Sequence, residues 1–300
     1  MKIPVKRKLG SAISLFIAII IGFIFLLENT DLFKEPAKTT APVSGSCNVY
    51  FIDVGQGDST LISSGGVNVL IDAGENNRGD DVLLKLSELG INKLHYVIGT
   101  HAHSDHIGGL DTVLNGIEVE NIILSDLPEK LIPTTKTYTD LLEAILENEV
   151  NLIPAEAGDS FKIGEGVLSI LGPVTDTYKE PNNWSIVTKF EFGETSFLFT
   201  GDAEALAEKD LLKSGAYVNA DLLKVSHHGS DTSSSKAFLE AVSPDYAVIE
   251  VGAGNSYGHP MAETLTRLQN LGAEIYRTDL DGCVTATTDG KDIVITTEKE

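Results

Sequence analysis

The feature that most constrains this chain is a dense run of metal-binding side chains, His101-Ala102-His103-Ser104-Asp105-His106. The run directly follows residues 95–99, whose composition is typical of a buried strand. Imidazole and carboxylate groups together suit a divalent transition metal. In an extended backbone His101 and His103 project the same way and could hold one ion, while Asp105 and His106 could turn towards a second. Five of the seven histidines lie in two short clusters, which makes a chance His-rich loop the weaker interpretation.

Two further polar motifs also follow predicted strands. In the segment Lys224-Val225-Ser226-His227-His228-Gly229-Ser230, we expect one of the two histidines to bind metal, while the other could contact substrate or hold the ligand's tautomer. Backbone N–H groups around Gly229 and Ser230 could meet an anion. Asp202 is weak evidence alone, because turn aspartates are common. Beside two histidine clusters, it becomes the natural ligand to bridge two ions.

The chain alternates between strand-like and helix-like segments in two halves of similar size. Strands are predicted at 48–54, 60–62, 67–72, 95–99, 167–171, 185–192, 196–200, 222–226, 246–250, 282–288 and 292–297. Helices are predicted at 80–89, 138–149, 203–214, 235–242 and 262–271. Two such halves predict an α/β (α+β) architecture of two face-to-face sheets with helices outside.

Five short segments complete the pattern: FIDVGQGDS (51–59), LIDAG (70–74), NWSIV (183–187), HHGS (227–230) and NSYGHP (255–260). With the His-x-His-x-Asp-His run and the later Gly-Asp, this ordered set resembles the metallo-β-lactamase superfamily. More narrowly, it is similar to the lactamase-like domain of ComEC-type DNA-uptake competence proteins. The resemblance covers about residues 48–288.

The resemblance implies an αββα sandwich that hydrolyses its substrate at two divalent ions, Zn²⁺ or Mn²⁺. The positions that match metal ligands are His101, His103, Asp105, His106, Asp202 and His227. Asp72 matches an aspartate that supports a ligand from behind. Asp105 is expected to orient the attacking hydroxide as well as bind metal, and Lys224, His228 or the HHGS loop to contact the phosphate. Asp58, Asn183, Ser230, Tyr257 and His259 are further candidates for support or substrate contact.

One departure from the family pattern concerns the ligand set. Many lactamase-like enzymes have another histidine between the first cluster and the Gly-Asp motif. Here no histidine lies between His106 and His227. Asn183 or water could therefore complete the coordination of one ion.

The N-terminus predicts a membrane anchor. Residues 1–8 form a basic cytoplasmic tail, and residues 9–27 lack charge and would span roughly 28 Å as a helix. Residues 28–46 are a linker to the hydrolase domain at 47–300. The positive-inside rule places that domain on the extracytoplasmic side of the membrane. A cleaved signal peptide, which would give a secreted protein, is the alternative.

Charge bears on the substrate. The chain has a net charge of -22, and beyond the basic tail 18 basic face 44 acidic residues. Long polyanions should be repelled, so the expected activity is a phosphodiesterase or nuclease for small or short substrates. A lactone, thioester or β-lactam hydrolase is the alternative enzyme, and a non-catalytic metal-dependent binding protein the alternative class. With one predicted span, a role in DNA transport is not implied, and no protein partner is inferred.

Cys47 and Cys283 could form a disulfide in an exported protein or stay as two thiols.

Overall fold

The computed structural model describes residues 45–299. The predicted cytoplasmic tail, the predicted transmembrane helix and all but the last two residues of the predicted linker lie outside the described residues. Across residues 45–299, no helix combines the length and apolar character needed to cross a membrane.

The strands are β1 (Cys47–Phe51), β2 (Thr60–Ser64), β3 (Val67–Ile71), β4 (Lys93–Gly99), β5 (Glu118–Ser125), β6 (Asn151–Ala155), β7 (Ser160–Ile163), β8 (Gly166–Gly172), β9 (Val187–Phe192), β10 (Thr195–Phe199), β11 (Leu222–Lys224), β12 (Tyr246–Ile249), β13 (Glu274–Arg277), β14 (Val284–Thr288) and β15 (Ile293–Thr297). The α-helices are α1 (Gly79–Glu88), α2 (Ser104–Ile107), α3 (Leu110–Gly116), α4 (Lys136–Glu147), α5 (Ala205–Ser214), α6 (Lys236–Val242), α7 (Ala262–Leu271) and α8 (Thr278–Asp281).

In the described part of the chain these strands form two mixed sheets. The first has the order β15-β14-β1-β2-β3-β4-β5-β6, and the second has the order β13-β12-β11-β10-β9-β8-β7. In the first sheet β3 to β6 run parallel and the other pairings are antiparallel. In the second sheet β10 to β13 run parallel, and β7 to β10 pair antiparallel.

Apolar packing divides into three layers, as an αββα sandwich requires. The layer between the sheets joins Phe51 and Val284 of the first sheet to Phe190 and Phe197 of the second. A second layer packs the outer face of the first sheet on helices α1, α3 and α4, and a third packs the second sheet on α5, α6 and α7. The predicted αββα fold is confirmed.

The sequence analysis missed strands β5, β6, β7 and β13. The first half of β5 carries two glutamates and only its end is buried, so its apolar run is short. Strands β6, β7 and β13 are short, largely exposed, and at sheet edges, where an apolar period is weak. The structure also leaves Cys47 and Cys283 unpaired, so the disulfide interpretation does not hold in this fold.

The topology brings polar loops from both sheets to one edge of the sandwich. The parallel strands β3 and β4 lead into Asp72 and the 101–106 run. The parallel strands β10, β11 and β12 lead into Asp202, the histidine pair and Glu250. Because the carboxyl ends of parallel strands share one edge of a sheet, this edge is the expected place for a site.

Candidate metal centre

A cleft of about 330 Å³ lies at this edge of the sandwich. Its walls include Asp105, Asp202, His227 and His228, with Tyr257 and His259 on one side. The cleft also reaches His103, Ser104, Gln56 and Asn182. About half of the candidate site residues from the sequence analysis therefore line this one cleft.

His106 is held from behind by Asp72. The His106 Nδ1 atom lies 2.8 Å from Asp72 Oδ2, and Thr100 donates two hydrogen bonds to the same carboxylate, from its N–H at 2.8 Å and its hydroxyl at 2.6 Å. With Nδ1 protonated towards Asp72, the Nε2 lone pair faces Asp202.

The Nε2 atom of His106 lies 3.2 Å from Asp202 Oδ1. Burial alone would lower the pKa of His106, but Asp202, Asp58 and Asp72 together raise it well above its ordinary value. The lone pair on His106 Nε2 and the carboxylate oxygen of Asp202 repel each other at this distance unless a positive charge lies between or beside them. A proton on His106 can supply that charge, and so can a cation.

His101 and His103 lie side by side at the mouth of this cluster. His101 Nε2 is 3.1 Å from His103 Nδ1 and 3.8 Å from Asp202 Oδ2. Burial and the neighbouring His106 lower the pKa of His101 well below its ordinary value, so His101 is held neutral with a lone pair to donate. The pair was expected to face one ion from an extended segment, and its two nitrogens do converge.

Asp202 is fixed by its own turn. Its backbone N–H donates to the Ser185 hydroxyl at 3.0 Å. The preceding carbonyl, of Gly201, accepts hydrogen bonds from Lys224 Nζ at 3.2 Å and from the Ser226 hydroxyl at 3.3 Å. The carboxylate itself reaches towards both His101 and His106, as a bridging ligand must.

His227 and His228 both adopt left-handed backbone conformations, with φ of 52° at each. Left-handed non-glycine residues cost about 1–3 kcal/mol each and persist where the surroundings enforce them. Here the His227 N–H donates to Gly201 O at 3.1 Å, and His228 Nδ1 lies 2.8 Å from Glu250 O. The strained turn directs both imidazoles to the cleft.

The two histidines are not equivalent. His228 is buried, and its Nε2 lies 3.3 Å from Asp105 Oδ2. His227 is more exposed, and its nearest approach to the cluster is 3.6 Å, from Nε2 to Asp202 Oδ2. His228 Nε2 thus lies deeper in the cluster and nearer to a carboxylate oxygen than His227 Nε2 does, whereas the sequence analysis expected His227 to bind metal.

A buried ion pair lies beneath the cleft. Lys224 Nζ pairs with Asp58 Oδ2, and the other oxygen of Asp58 is 3.2 Å from His228 Nδ1. Burial alone would lower the pKa of Lys224, but Asp58 and Asp202 raise it, so Lys224 is held charged. Its ammonium group is turned to Asp58 and to Gly201 O rather than to the cleft. Direct contact between Lys224 and a phosphate, expected from the sequence, does not fit this geometry.

Two other expected residues lie away from the cleft. The Asn183 amide is engaged at both ends, accepting from the Ala207 N–H at 3.1 Å and donating to Glu204 at 3.2 Å. Its neighbour Asn182 lines the cleft instead. The Ser230 hydroxyl is 3.0 Å from that of Thr232, so Ser230 supports the loop rather than facing a ligand.

Glu250 is a functional candidate that the sequence analysis missed. This buried carboxylate accepts hydrogen bonds from the Ser59 N–H and the Thr60 hydroxyl, each at 3.0 Å. Burial and the nearby Asp58 raise the pKa of Glu250 to about 8. The only signal in the sequence was a glutamate at the end of an otherwise apolar strand. Through its carboxylate and its backbone carbonyl, Glu250 connects Ser59 and Thr60 to His228.

The donor set fits divalent metal ions. His106 Nε2, His228 Nε2 and Asp202 Oδ1 are buried atoms without a hydrogen-bond partner, a costly state in a protein interior. Ligand atoms of His101, His106 and Asp202 lie within 4.8 Å of one another, as do those of Asp58, His106 and His228. Imidazole nitrogens and carboxylate oxygens in this mixture suit Zn²⁺ or Mn²⁺.

Comparison with known proteins agrees with this geometry. The sequence model of the metallo-beta-lactamase superfamily matches residues 52–252. "ComE operon protein 3" of Bacillus subtilis (strain 168) is 31% identical over 260 residues, which are 81% of this chain and 33% of that protein. "Recombination protein 2" of Haemophilus influenzae is 31% identical over 268 residues, or 88% of this chain and 31% of that protein. The chain thus spans about a third of the length of these relatives, which are ComEC-type competence proteins.

Among solved structures, CmlA, a diiron β-hydroxylase from Streptomyces venezuelae, superimposes with a TM-score of 0.52 at 13% identity. The match covers 82% of this chain and 55% of CmlA. At this identity the likeness shows a shared fold.

Proposed function

Because this chain belongs to the metallo-β-lactamase superfamily, we propose that it is a metal-dependent phosphodiesterase or nuclease that works on the extracytoplasmic side of a membrane. The observation that carries the proposal is the convergence of buried ligand atoms from His106, His228 and Asp202, which lack a hydrogen-bond partner, beside an open cleft that Asp202 and His228 line. A purely structural cluster would satisfy these atoms with hydrogen bonds.

We assign the ligands of two ions from this arrangement. His101, His103 and Asp202 would hold one ion, and Asp105, His106 and His228 the other, with Asp202 shared between them. Two such ions would acidify a bound water and stabilise charge on the attacking and leaving oxygens of a phosphodiester. Asp58 is close enough to serve, but its carboxylate is already paired with Lys224, so we assign it to support His228.

The chain's own residues divide the remaining work. Asp105 lies at the cleft and 3.3 Å from His228 Nε2, where it can orient a water molecule as well as bind metal. His227, Tyr257 and His259 form a wall of the cleft, with the His227 and His259 rings 5.6 Å apart and those of Tyr257 and His259 5.7 Å apart. Asn255 fixes this wall, donating to His259 O at 2.7 Å and accepting from its N–H at 3.0 Å. These side chains can donate hydrogen bonds to phosphoryl oxygens.

A phosphodiester substrate is favoured over a carbonyl compound by the relatives. One of the relatives above is named a recombination protein, and both are ComEC-type competence proteins, which supports a substrate related to nucleic acid. The acidic surplus of the chain favours a small or short one. The membrane location rests on residues 9–27 of the sequence alone, and protease added outside intact cells should degrade the hydrolase domain.

The test is a metal analysis combined with two chromogenic substrates. Protein purified without chelator should carry close to two equivalents of Zn²⁺ or Mn²⁺ and should hydrolyse bis(p-nitrophenyl) phosphate in preference to nitrocefin. Asp202→Asn should lose both metal and turnover. Preferential hydrolysis of nitrocefin or of a lactone would replace the phosphodiesterase proposal. Metal binding without turnover of any of these substrates would identify a non-catalytic binding protein.

A further inference from the structure

A second cavity, of about 300 Å³, opens beside the metal cleft. Its walls are mainly apolar and include Ile107, Leu124, Leu127, Leu131, Tyr138 and Trp184. Small-molecule sites typically measure roughly 300–1,000 Å³. At the lower end of that range, this cavity can hold one substituent of a substrate rather than a whole polymer.

The cavity adjoins the metal centre at His103. That residue lines both the cleft and the apolar cavity, and His101 lines the apolar cavity as well. The nearest nitrogens of these two histidines are 3.1 Å apart. One substrate molecule could therefore place a substituent in the cavity and its reacting group at the metal centre, with only a few bonds between them.

Several polar groups on the cavity wall are already engaged within the protein. The Ser125 hydroxyl donates to Trp184 O at 2.6 Å, and Trp184 Nε1 donates to Tyr178 O at 3.2 Å. The Thr135 hydroxyl accepts from the Tyr138 N–H at 3.3 Å, where it caps helix α4. These groups already have hydrogen-bond partners within the protein, and Lys179, which also lines the cavity, is exposed to solvent. The cavity therefore offers mainly apolar contact.

The apolar wall is only partly covered by protein. Leu127, Leu131 and Tyr138 are each half-buried, although they pack against the outer layers of the sandwich. Leaving such surface in contact with water costs about 25 cal/mol per Å² of apolar area. A ligand with a matching apolar group would remove this cost.

We propose that the apolar cavity holds the organic substituent of a phosphoester, an alkyl or aryl group, while the phosphoryl group lies at the metal cleft. The inference rests on the proposed phosphodiesterase function and narrows its substrate class to phosphoesters with an apolar group. Selection is by size and apolar area, without preference among nucleobases.

The test uses binding rather than turnover. Linear alkylphosphonates from methyl to hexyl are titrated by calorimetry into the full-length chain, purified in detergent and loaded with Mn²⁺. Affinity should rise about 4-fold per methylene, as expected for burial of a CH₂ group, until the cavity is full. An affinity that does not depend on chain length would overturn the inference.

Two cavity variants and one matched control localise the effect. Leu131→Asp places a charge in the cavity and should remove the dependence on chain length. Leu131→Trp fills space without adding charge, so it should make the dependence stop at a shorter chain and keeps the test usable if the aspartate variant misfolds. Leu84→Asp, at an exposed leucine of helix α1, should behave as the unchanged protein. A dependence that survives both Leu131 variants would also overturn the inference.

The same preparations are assayed with bis(p-nitrophenyl) phosphate to separate the two proposals. Chain-length-dependent binding without turnover supports the cavity assignment and removes the proposed function. Turnover together with an affinity that does not change with phosphonate chain length, or with no phosphonate binding, supports the proposed function and contradicts the cavity assignment. The affinities of the four deoxynucleoside 5′-monophosphates are measured in the same way. A preference above about 10-fold for one base would contradict the inference, because it would show that the cavity forms hydrogen bonds to the polar edge of a nucleobase.

Discussion

At the scale of single residues, the adjacent His227 and His228 show how the backbone assigns different tasks to the same side chain. Both are left-handed, yet only His228 is buried and hydrogen-bonded at Nδ1 to a backbone carbonyl, that of Glu250. Such a bond fixes the tautomer and frees Nε2 for a metal ion. The Nδ1 of His227 meets the Thr232 hydroxyl at 3.2 Å instead.

We therefore expect His228→Ala to weaken metal binding by more than about 100-fold, and His227→Ala by about 10- to 100-fold at most. The reason is that loss of a ligand costs more than loss of an outer partner, which typically costs 10–100-fold. Metal content after dialysis against buffered Zn²⁺ or Mn²⁺ measures the effect directly, and circular dichroism controls for folding. Equal losses in both variants, or a larger loss in His227→Ala, would restore the assignment made from the sequence.

The cysteines give a second test at this scale. Burial raises the pKa of the Cys47 thiol to about 12, so at pH 8 almost none of it is the reactive thiolate. Cys283 is less buried and also unpaired. Iodoacetamide at pH 8 should label Cys283 first in the native protein and both residues after unfolding, as read by mass spectrometry. A mass two units lower and no labelling before reduction would reveal a disulfide instead.

The residue types of the site could be predicted from the sequence, but their partners could not. A run such as His101 to His106 is recognisable because so many ligands in six residues have few other uses. The roles of Lys224 and Asn183 depend on contacts with Asp58 and Ala207. Those residues are more than twenty positions away, and no local pattern reports such contacts. Glu250 was missed for the same reason.

At the scale of elements, the loop between β1 and β2 approaches the metal centre through a glycine. Gly57 has φ of 135°, and a Cβ added there would lie 2.3 Å from Asp105 O. The next residue uses this closeness, because the Asp58 N–H donates to Asp105 O at 3.0 Å. This close approach places Asp58 beside His106 and His228.

Gly57→Ala should therefore displace the Asp105 backbone, lower metal affinity and destabilise the fold by about 1–3 kcal/mol. The matched control is Gly66→Ala, which also has a positive φ but no atom within 4 Å of the added Cβ. Urea unfolding and metal titration of both variants separate the clash from the backbone strain that they share. If the two variants behave alike, close packing at Gly57 does not matter to the site.

Elements in the interior of the sheets were easier to predict than those at the edges. Strands β1, β10 and β12 are rich in buried apolar side chains, so their sequences predict them well. Strand β6 contains Pro154 and has no fully buried residue. It forms because β5 offers a parallel partner, which is tertiary information that a single sequence does not carry.

At the scale of the whole molecule, the charge balance limits the substrate. Beyond the first eight residues the chain has 18 basic and 44 acidic residues, and the buried Lys224 is not available for a phosphate backbone. Binding of duplex DNA depends on several Lys or Arg contacts and weakens steeply with salt. We expect cleavage of a short single-stranded oligonucleotide to exceed that of a duplex of several hundred base pairs, per cleavable bond and near physiological salt. Equal or faster cleavage of the duplex would reveal a concentrated basic track on the surface.

The position of the candidate ligands at the seam of the sandwich has a consequence for folding. His101, His103, Asp105 and His106 follow a strand of the first sheet, whereas Asp202 and His228 follow strands of the second. An ion bound by both groups of ligands would connect the two sheets. Because the unfolded chain has no such site, binding of the ion would stabilise the folded state. At 100 times its dissociation constant, the ion would add about 2.7 kcal/mol to the free energy of unfolding, or roughly 5–11 °C in Tm for a domain of this size. Thermal melts with and without EDTA should show this shift in Tm, and the shift should be smaller in His228→Ala. At low metal concentration the whole domain should therefore unfold more readily.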